Sequence, residues 1–405
     1  MGKMSFILVI GFSTLFLIMG YNANSVASRS VQNMADYHAR TVAYNIAVSG
    51  ANLAANEIFL DDNWVVGYPD REFEGGILNA KVDIIDPLYN TRKLTCTGTY
   101  RGVTKTVEVI FKPSSFSKFA YYSMSEGSGI WWTGNDTVWG PFHTQDYLRA
   151  YRHPVFHGKA STKKFLKYYN NKPKDAPIFY GGFETGVDLP LPTDGLAPMK
   201  TSALDDGLFF TGHDSVYLTF ANDSLKYRFS YSDKDSTIYL PTLAPGGVIF
   251  AENSTVRLKG TVKGQYSVAC SGPSGKGNIY LDDDIVYATN PLIDKSSTDL
   301  LGIVADNKVL VTDNVPNQSD INIHASIYSE NEGFGAENYS TRPVSGDINL
   351  MGGIIQHTRQ AVGTFGGSGI SSGFAKKYRY DERFMLMSPP GYPGTGDLEI
   401  VSWYE

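Results

Sequence analysis

Cysteine is nearly absent. Cys96 and Cys270 are the two thiols in 405 residues, and they fit neither a metal-site spacing nor the dense disulfide framework of small secreted domains. A single long-range disulfide or two independent buried thiols remain, and the second is the reading preferred. Charge is also sparse. Charged residues make up 19% of the chain, the net charge is -6, and no Lys/Arg block occurs, which argues against nucleic acid as a partner. Proline is missing until Pro69, so nothing breaks a helix before that point. A charged side chain is missing between Met4 and Tyr21. What is abundant is Gly (41), Tyr (26) and Phe (22), a profile of β-rich, turn-rich extracellular architecture. At 405 residues, two or three domains are expected.

The Met4–Tyr21 run is 18 residues long, about 27 Å of helix at ~1.5 Å per residue, which is enough to cross a bilayer core. It exceeds the apolar core of an ordinary signal peptide, so a retained anchor is expected, although 21–25 offers small residues where cleavage would be possible. From Val26 to Phe59 the pattern becomes that of a long amphipathic helix. Ala39, Ala43, Ala47, Ala51 and Ala55 recur every fourth residue, with Gly50 and Ala54 beside them. Small side chains in such a row let another helix approach closely. On this reading Leu at Ala43 and Ala47 blocks assembly and leaves the rest folded.

Strand signals follow. Leu78, Ala80, Val82 and Ile84 alternate with polar residues, and Asp86-Pro87 ends that run. Lys93–Tyr100 and Val103–Phe111 are joined by Arg101-Gly102, a two-residue hairpin connection. One long helix with a small antiparallel meander is an α+β unit, the sheet covering the second half of the helix.

A membrane-inserted helix that continues as an alanine-rich amphipathic helix and then meets an antiparallel sheet looks like the pilin fold of type IV pili and type II secretion pseudopilins. Residues 40–55 resemble the Ala-rich helix of large minor-pilin-like assembly proteins, and the 94–109 hairpin resembles the strand pair that follows there. Gly11-Phe12 supplies the dipeptide at which the family is processed, with Gly2-Lys3 as an alternative, but Phe16 stands where the family carries Glu. The resemblance implies partner subunits met through the helix, an inner-membrane anchor, and a place in a cell-envelope filament.

The rest of the chain reads as β. The template apolar-x-apolar-x-x-x-apolar fits Val256/Leu258/Val262, Ile279/Leu281/Ile285, Val309/Val311/Val315, Ile321/Ile323/Ile327 and Ile348/Leu350/Ile354. Short aliphatic strands separated by turn clusters predict a right-handed parallel β-helix. The uneven 12-residue step is either two faces of one rung or the mark of a sandwich. The expected organisation is then 1–24 as the membrane half of the helix and 25–112 as the pilin-like helix and small antiparallel sheet. A 113–128 linker leads to a β-rich domain over 129–375 with an irregular insertion at 160–245. Residues 376–405 form a capping segment.

Candidate chemistry is thin. His143, His153 and His157 cluster in sequence, Asp282–Asp284 and Asp205-Asp206 are acidic turns, and 272–276 has the look of a phosphate loop without its full glycine pattern. Gly127-Ser-Gly and 366–369 lack the spacing of a nucleophile elbow. Asn135, Asn222, Asn253, Asn317 and Asn338 open sequons of the kind chance supplies. Trp131, Trp132 and Trp139 suit sugar stacking or capping of the first rung, and capping is preferred. The expectation is therefore a non-enzyme with no cofactor, no metal and no nucleic acid, which displays its β domain for adhesion or assembly, with surface polysaccharide as a candidate partner. The alternative is a tethered or secreted β-helix enzyme acting on carbohydrate.

Overall fold

The structure, a computed structural model, describes residues 2–61, 63–86, 90–127, 129–134, 136–366 and 369–405. Pro87, Ser128, Asn135, Gly367 and Ser368, which entered the strand-end, Gly-Ser-Gly and sequon readings, lie outside the described residues. A long N-terminal helix followed by a large β-rich region is the arrangement present, and it is consistent with a pilin-like fold. The chain divides into two compact units, Met1–Pro113 with Asp397–Glu405, and Ser114–Gly396.

In the first unit one helix runs Gly2–Leu60 without a break. Asp61 closes it, its carbonyl accepting from Trp64 N at 3.0 Å and its carboxylate from Asn63 N at 2.9 Å. The buried helix residues are Ala39, Ala43, Ile46, Ala47, Gly50, Ala51, Ala54, Ala55 and Ile58. They lie against a five-stranded sheet whose order is Tyr68–Phe73, Gly76–Asp86, Thr91–Tyr100, Val103–Ser115 and Gly394–Tyr404. Contact is backbone-close. A Cβ on Gly98 would stand 2.1 Å from the Ala43 carbonyl oxygen and 2.6 Å from Ala47 N, and one on Gly50 would meet Leu78 Cδ1 at 2.0 Å. Alanine and glycine are there because nothing larger fits. This corrects the expectation for the alanine row: it is occupied by the chain's own sheet.

The hairpin at Arg101-Gly102 forms as read, both residues taking positive φ (48° and 78°) between Tyr100 and Val103. A second such turn at Glu74-Gly75 (49° and 72°) makes a strand of 68–73, a segment that reads as mere connection. Leu78, Ala80 and Val82 are buried as the alternation predicts, whereas Ile84 is exposed. The tail does not act only as a cap. Its last residues add a strand beside Val103–Ser115, giving that strand's outer backbone groups hydrogen-bond partners.

The second unit is organised by a ladder of parallel strands. Its order is Leu208–Phe210, Val248–Ala251, Gln265–Cys270, Leu300–Ala305, Ile321–Ser329, Val344–Thr358, Tyr121–Ser125, Phe142–Thr144, Ala160–Thr162 and Phe183–Thr185. The period of two sorts the side chains. Ile249, Val268, Ile303, Ile327, Ile354, Tyr121, Phe142 and Ala160 share one core. Phe250, Ala269, Val304, Tyr328, Ile355 and Tyr122 point the other way, into a second core with Leu191, Leu196, Met199 and Ala203. The chain enters this ladder in the middle, at Tyr121–Ser125. It runs out to 185 at one end, crosses the sheet's second face through 186–207, and returns from 208 to dock 354–356 beside 121–123.

Two expectations are corrected here. Residues 113–128 are not a linker, since Phe116 and Tyr122 are fully buried. Nor is 160–245 an irregular insertion, because it contains three ladder strands and the meander Ser215–Asn222, Ser224–Arg228, Ser236–Tyr239. The repeat template is partly realised. Val256, Ile279 and Val309 pair in succession, as do Leu258, Leu281 and Val311, and Ile321, Ile323 and Ile327 pair with Ile348, Leu350 and Ile354. A bulge after Leu258 sets Val262 opposite Tyr287 instead of Ile285, and Val315 is exposed. The 12-residue step arises because Asn278–Tyr287 pairs with two successive strands, through Leu281↔Val311 and Ile285↔Ile323.

Ala43→Leu and Ala47→Leu should each overpack the helix–sheet contact, costing about 1–3 kcal/mol. Denaturant unfolding of the full chain followed by Trp64 fluorescence measures this, and an unchanged midpoint would overturn the placement.

Candidate functional site

Two places stand out. The first is the outer surface of the helix. No residue from Gly2 to His38 is buried, and this helix is long and apolar enough to cross a membrane. The Thr14 hydroxyl is satisfied within the helix, Oγ1 donating to the Ile10 and Gly11 carbonyls at 2.9 Å. Polar residues appear from Asn22, among them Gln32 and Asp36, which hydrogen-bond at 3.0 Å. Between them Val26, Val31, Met34 and Tyr37 remain exposed.

The second place is a seam inside the β-rich unit. The ladder above is continuous through residues 121–123, but the strands beside it are not. Residues 374–379 have a parallel neighbour on one side, Val344–Thr358. The Thr137–Val138 strand has one only on the side of Val155–Phe156. Among the described residues these two edges do not pair, and a cavity of about 70 Å³ lies between them. Its lining includes Trp132, Asp136, Trp139, Arg359, Lys376 and Tyr378.

At the floor a buried ion pair crosses the seam. Arg359 Nη1 donates to Glu126 Oε2 at 2.9 Å. Trp132 Nε1 donates to the same oxygen at 2.9 Å, and Tyr121 and Ser123 hydroxyls to Oε1 at 2.8 and 2.5 Å. The guanidinium also lies 4.2 Å over the Trp132 ring. Glu126 is therefore saturated with donors. Lys376 is different. It is half-buried and makes no ion pair with a described carboxylate. Burial, with help from the Arg359 charge, pulls its ammonium down to about 8, against the opposing pull of Asp136 and Glu126. Asp136 accepts from Thr133 N at 2.6 Å.

The residues singled out in the sequence do not assemble. His143 is buried, its Nδ1 2.8 Å from Ser161 Oγ, and burial pushes it down to about 4. His153 Nδ1 sits 2.8 Å from the Ala176 carbonyl, and His157 is stacked between Trp139 and Tyr180. No group of three metal-ligating side chains occurs among the described residues. Asp282 is paired with Arg257 at 2.6 Å, and Asp284 accepts from Asn322 N at 2.7 Å. Asp205 and Asp206 end a helix as exposed residues. In 272–276, Asn307 Nδ2 donates to Gly272 and Lys276 carbonyls, and Lys276 pairs with Asp214. Asn317 is buried, and Asn222, Asn253 and Asn338 are turn residues with positive φ. Trp132 is a core residue beside Phe142 and Phe156. Cys96 and Cys270 are both free and buried, and burial pushes each thiol up to about 12, so neither is a reactive thiolate. Sequence reading passed over Glu126, Arg359 and Lys376, which are far apart in the chain and carry no motif.

No family model and no curated protein matches the chain. Among solved structures, the competence-associated pilin ComZ from Thermus thermophilus aligns over 84% of this chain and 86% of that one, at 13% identity and a TM-score of 0.35. A likeness that low carries no argument.

Arg359→Met would strand the Glu126 carboxylate in the core and should cost about 3–5 kcal/mol, with Glu126→Gln in addition recovering part of it; denaturant titration of the single and the double variant checks this. Lys376 also makes a signed prediction. Its folded ammonium is depressed, so between about 8 and the ordinary lysine range the unfolded chain holds more protons. The penalty is present below pH 8 and relieved as pH rises through that window. Lys376→Met should therefore stabilise the protein at pH 7, with the gain shrinking towards pH 10.

Proposed function

We propose that this chain is a pilin-like, non-enzymatic protein of the bacterial cell envelope, of the type IV pilus or type II secretion-like kind. The observation that carries this is the division of one helix into two surfaces. From Ala39 on, its small residues are committed to the chain's own sheet, while no described residue before that is buried, and past the apolar 4–21 run Val26, Val31, Met34 and Tyr37 stand exposed among polar neighbours. A helix that only anchors a domain has no need to carry uncovered Val26, Val31, Met34 and Tyr37 beyond the membrane-length run. The 4–21 stretch would sit in the inner membrane, and Val26, Val31, Met34 and Tyr37 would meet helices of neighbouring subunits on assembly.

The β-rich unit would be the displayed module, for adhesion or for spacing. Its reading as a parallel β-helix is supported by in-register parallel pairing of successive strands and by the aliphatic columns Val256–Ile279–Val309 and Ile321–Ile348. Surface polysaccharide is its proposed partner.

Met34→Asp together with Val31→Asp should remove the protein from sheared filaments while leaving its unfolding midpoint unchanged. Normal co-sedimentation of that double variant would sink the assembly reading. Reproducible cleavage of acidic or neutral polysaccharide by the full chain would favour the enzyme alternative.

A further inference from the structure

We infer that the seam cavity is a binding site for the carboxylate of a sugar unit in an acidic polysaccharide. The inference rests on the display role proposed above and names the chemistry that the displayed unit would recognise.

Charge selects the ligand's sign. Arg359 is neutralised by Glu126 at 2.9 Å. What is left at the cavity is Lys376 and Arg379 against Asp136, a net positive lining. Asp136 already accepts from Thr133 N, whereas the Lys376 ammonium has no hydrogen-bonded or ion-paired partner among the described residues. A half-buried ammonium without a partner is costly, and an incoming carboxylate relieves that cost.

Shape selects the rest. Trp139 stacks on His157 with ring centroids 4.0 Å apart and planes 2° from parallel, and His157 stacks in turn on Tyr180 at 4.9 Å. This column follows the parallel strands Thr137–Val138, Val155–Phe156 and Ile178–Phe179. Trp139 begins it, so one face is covered by His157 and the other lies on the seam side, where Trp139 lines the cavity. An indole and an ammonium that line the same cavity offer a platform for the C–H face of a sugar ring and a counter-ion for its carboxylate. The cavity, about 70 Å³, admits the carboxylate and leaves the ring on Trp139 at the mouth. A peptide carboxylate would satisfy Lys376 equally but would leave the indole platform without a function.

The test uses the full chain in detergent, so its outcome is independent of filament assembly. Tri-galacturonate, its methyl ester and a tripeptide with a free C-terminal carboxylate are titrated by calorimetry. Expected is binding of tri-galacturonate at least tenfold tighter than of its methyl ester, and tenfold weaker binding in both Lys376→Met and Trp139→Ala. Lys376→Arg should retain binding, and Lys105→Met, on the other unit, should change nothing. No binding by the wild type, equal binding of the ester, or indifference to both cavity variants overturns the inference. Tighter binding of the tripeptide overturns the sugar assignment. If Lys376→Met fails to fold, loss in Trp139→Ala with retention in Lys376→Arg decides in its favour, and any other combination decides against it.

Discussion

The β-rich unit depends on one strand being paired along both edges. Tyr121–Ser123 lies between Ile354–Gln356 and Phe142–Thr144. On one side the partner is near in sequence, and on the other it is over two hundred residues away, as the Gln356-to-Tyr121 hydrogen bond shows with a separation of 235. Each half of the ladder then ends in a free strand unless this junction forms. Closing so long a loop carries an entropic cost that grows only slowly with length, and the reward is burial of both faces of the joined sheet. The outer face is covered by the crossing segment, whose Leu191, Leu196 and Met199 sit on Phe250, Val304 and Tyr328.

The buried Glu126–Arg359 pair belongs to the same junction. Glu126 follows the first strand of the ladder and Arg359 the last to arrive, and Arg359 N also donates to the Ser125 carbonyl at 2.9 Å. Buried pairs of this kind add little net stability over an apolar contact. Here the pair aligns two chain segments that have many apolar ways to meet, and it does so beside the gap where neighbouring strands stop short of joining. The cavity is therefore a by-product of the topology: one ladder passes through the seam and the strands on either side of it do not. Lys376 is left facing that gap.

In the first unit the decisive constraint is distance. Gly98 against Ala43 and Ala47 brings backbone close to backbone, and Gly50 makes room for the Leu78 side chain, and this is possible only where side chains are absent or minimal. The consequence is a helix with one end committed to its own domain and the other uncovered, which is the basis for the assembly role proposed above.

Much was legible from local chemistry. A charge-free run of 18 residues, no proline before Pro69, positive-φ turn residues at Arg101-Gly102 and alternating aliphatics at 78–82 each determine local structure without reference to anything distant. The small-residue row announced a close contact as well, because size is a property of the residue. The row alone did not say which partner would take it, since a sheet and a helix make the same demand for small side chains; the strand signals after it placed a sheet over the second half of the helix. The sheet that the tail strand joins, the ladder strands within 113–128 and 160–245, and the meeting of Glu126, Arg359 and Lys376 were decided only by the tertiary structure. Their hydrogen-bond and charge partners lie scores to hundreds of residues away, and a strand's outer edge, unlike its hydrophobic face, carries no side-chain pattern to say which neighbour it will take.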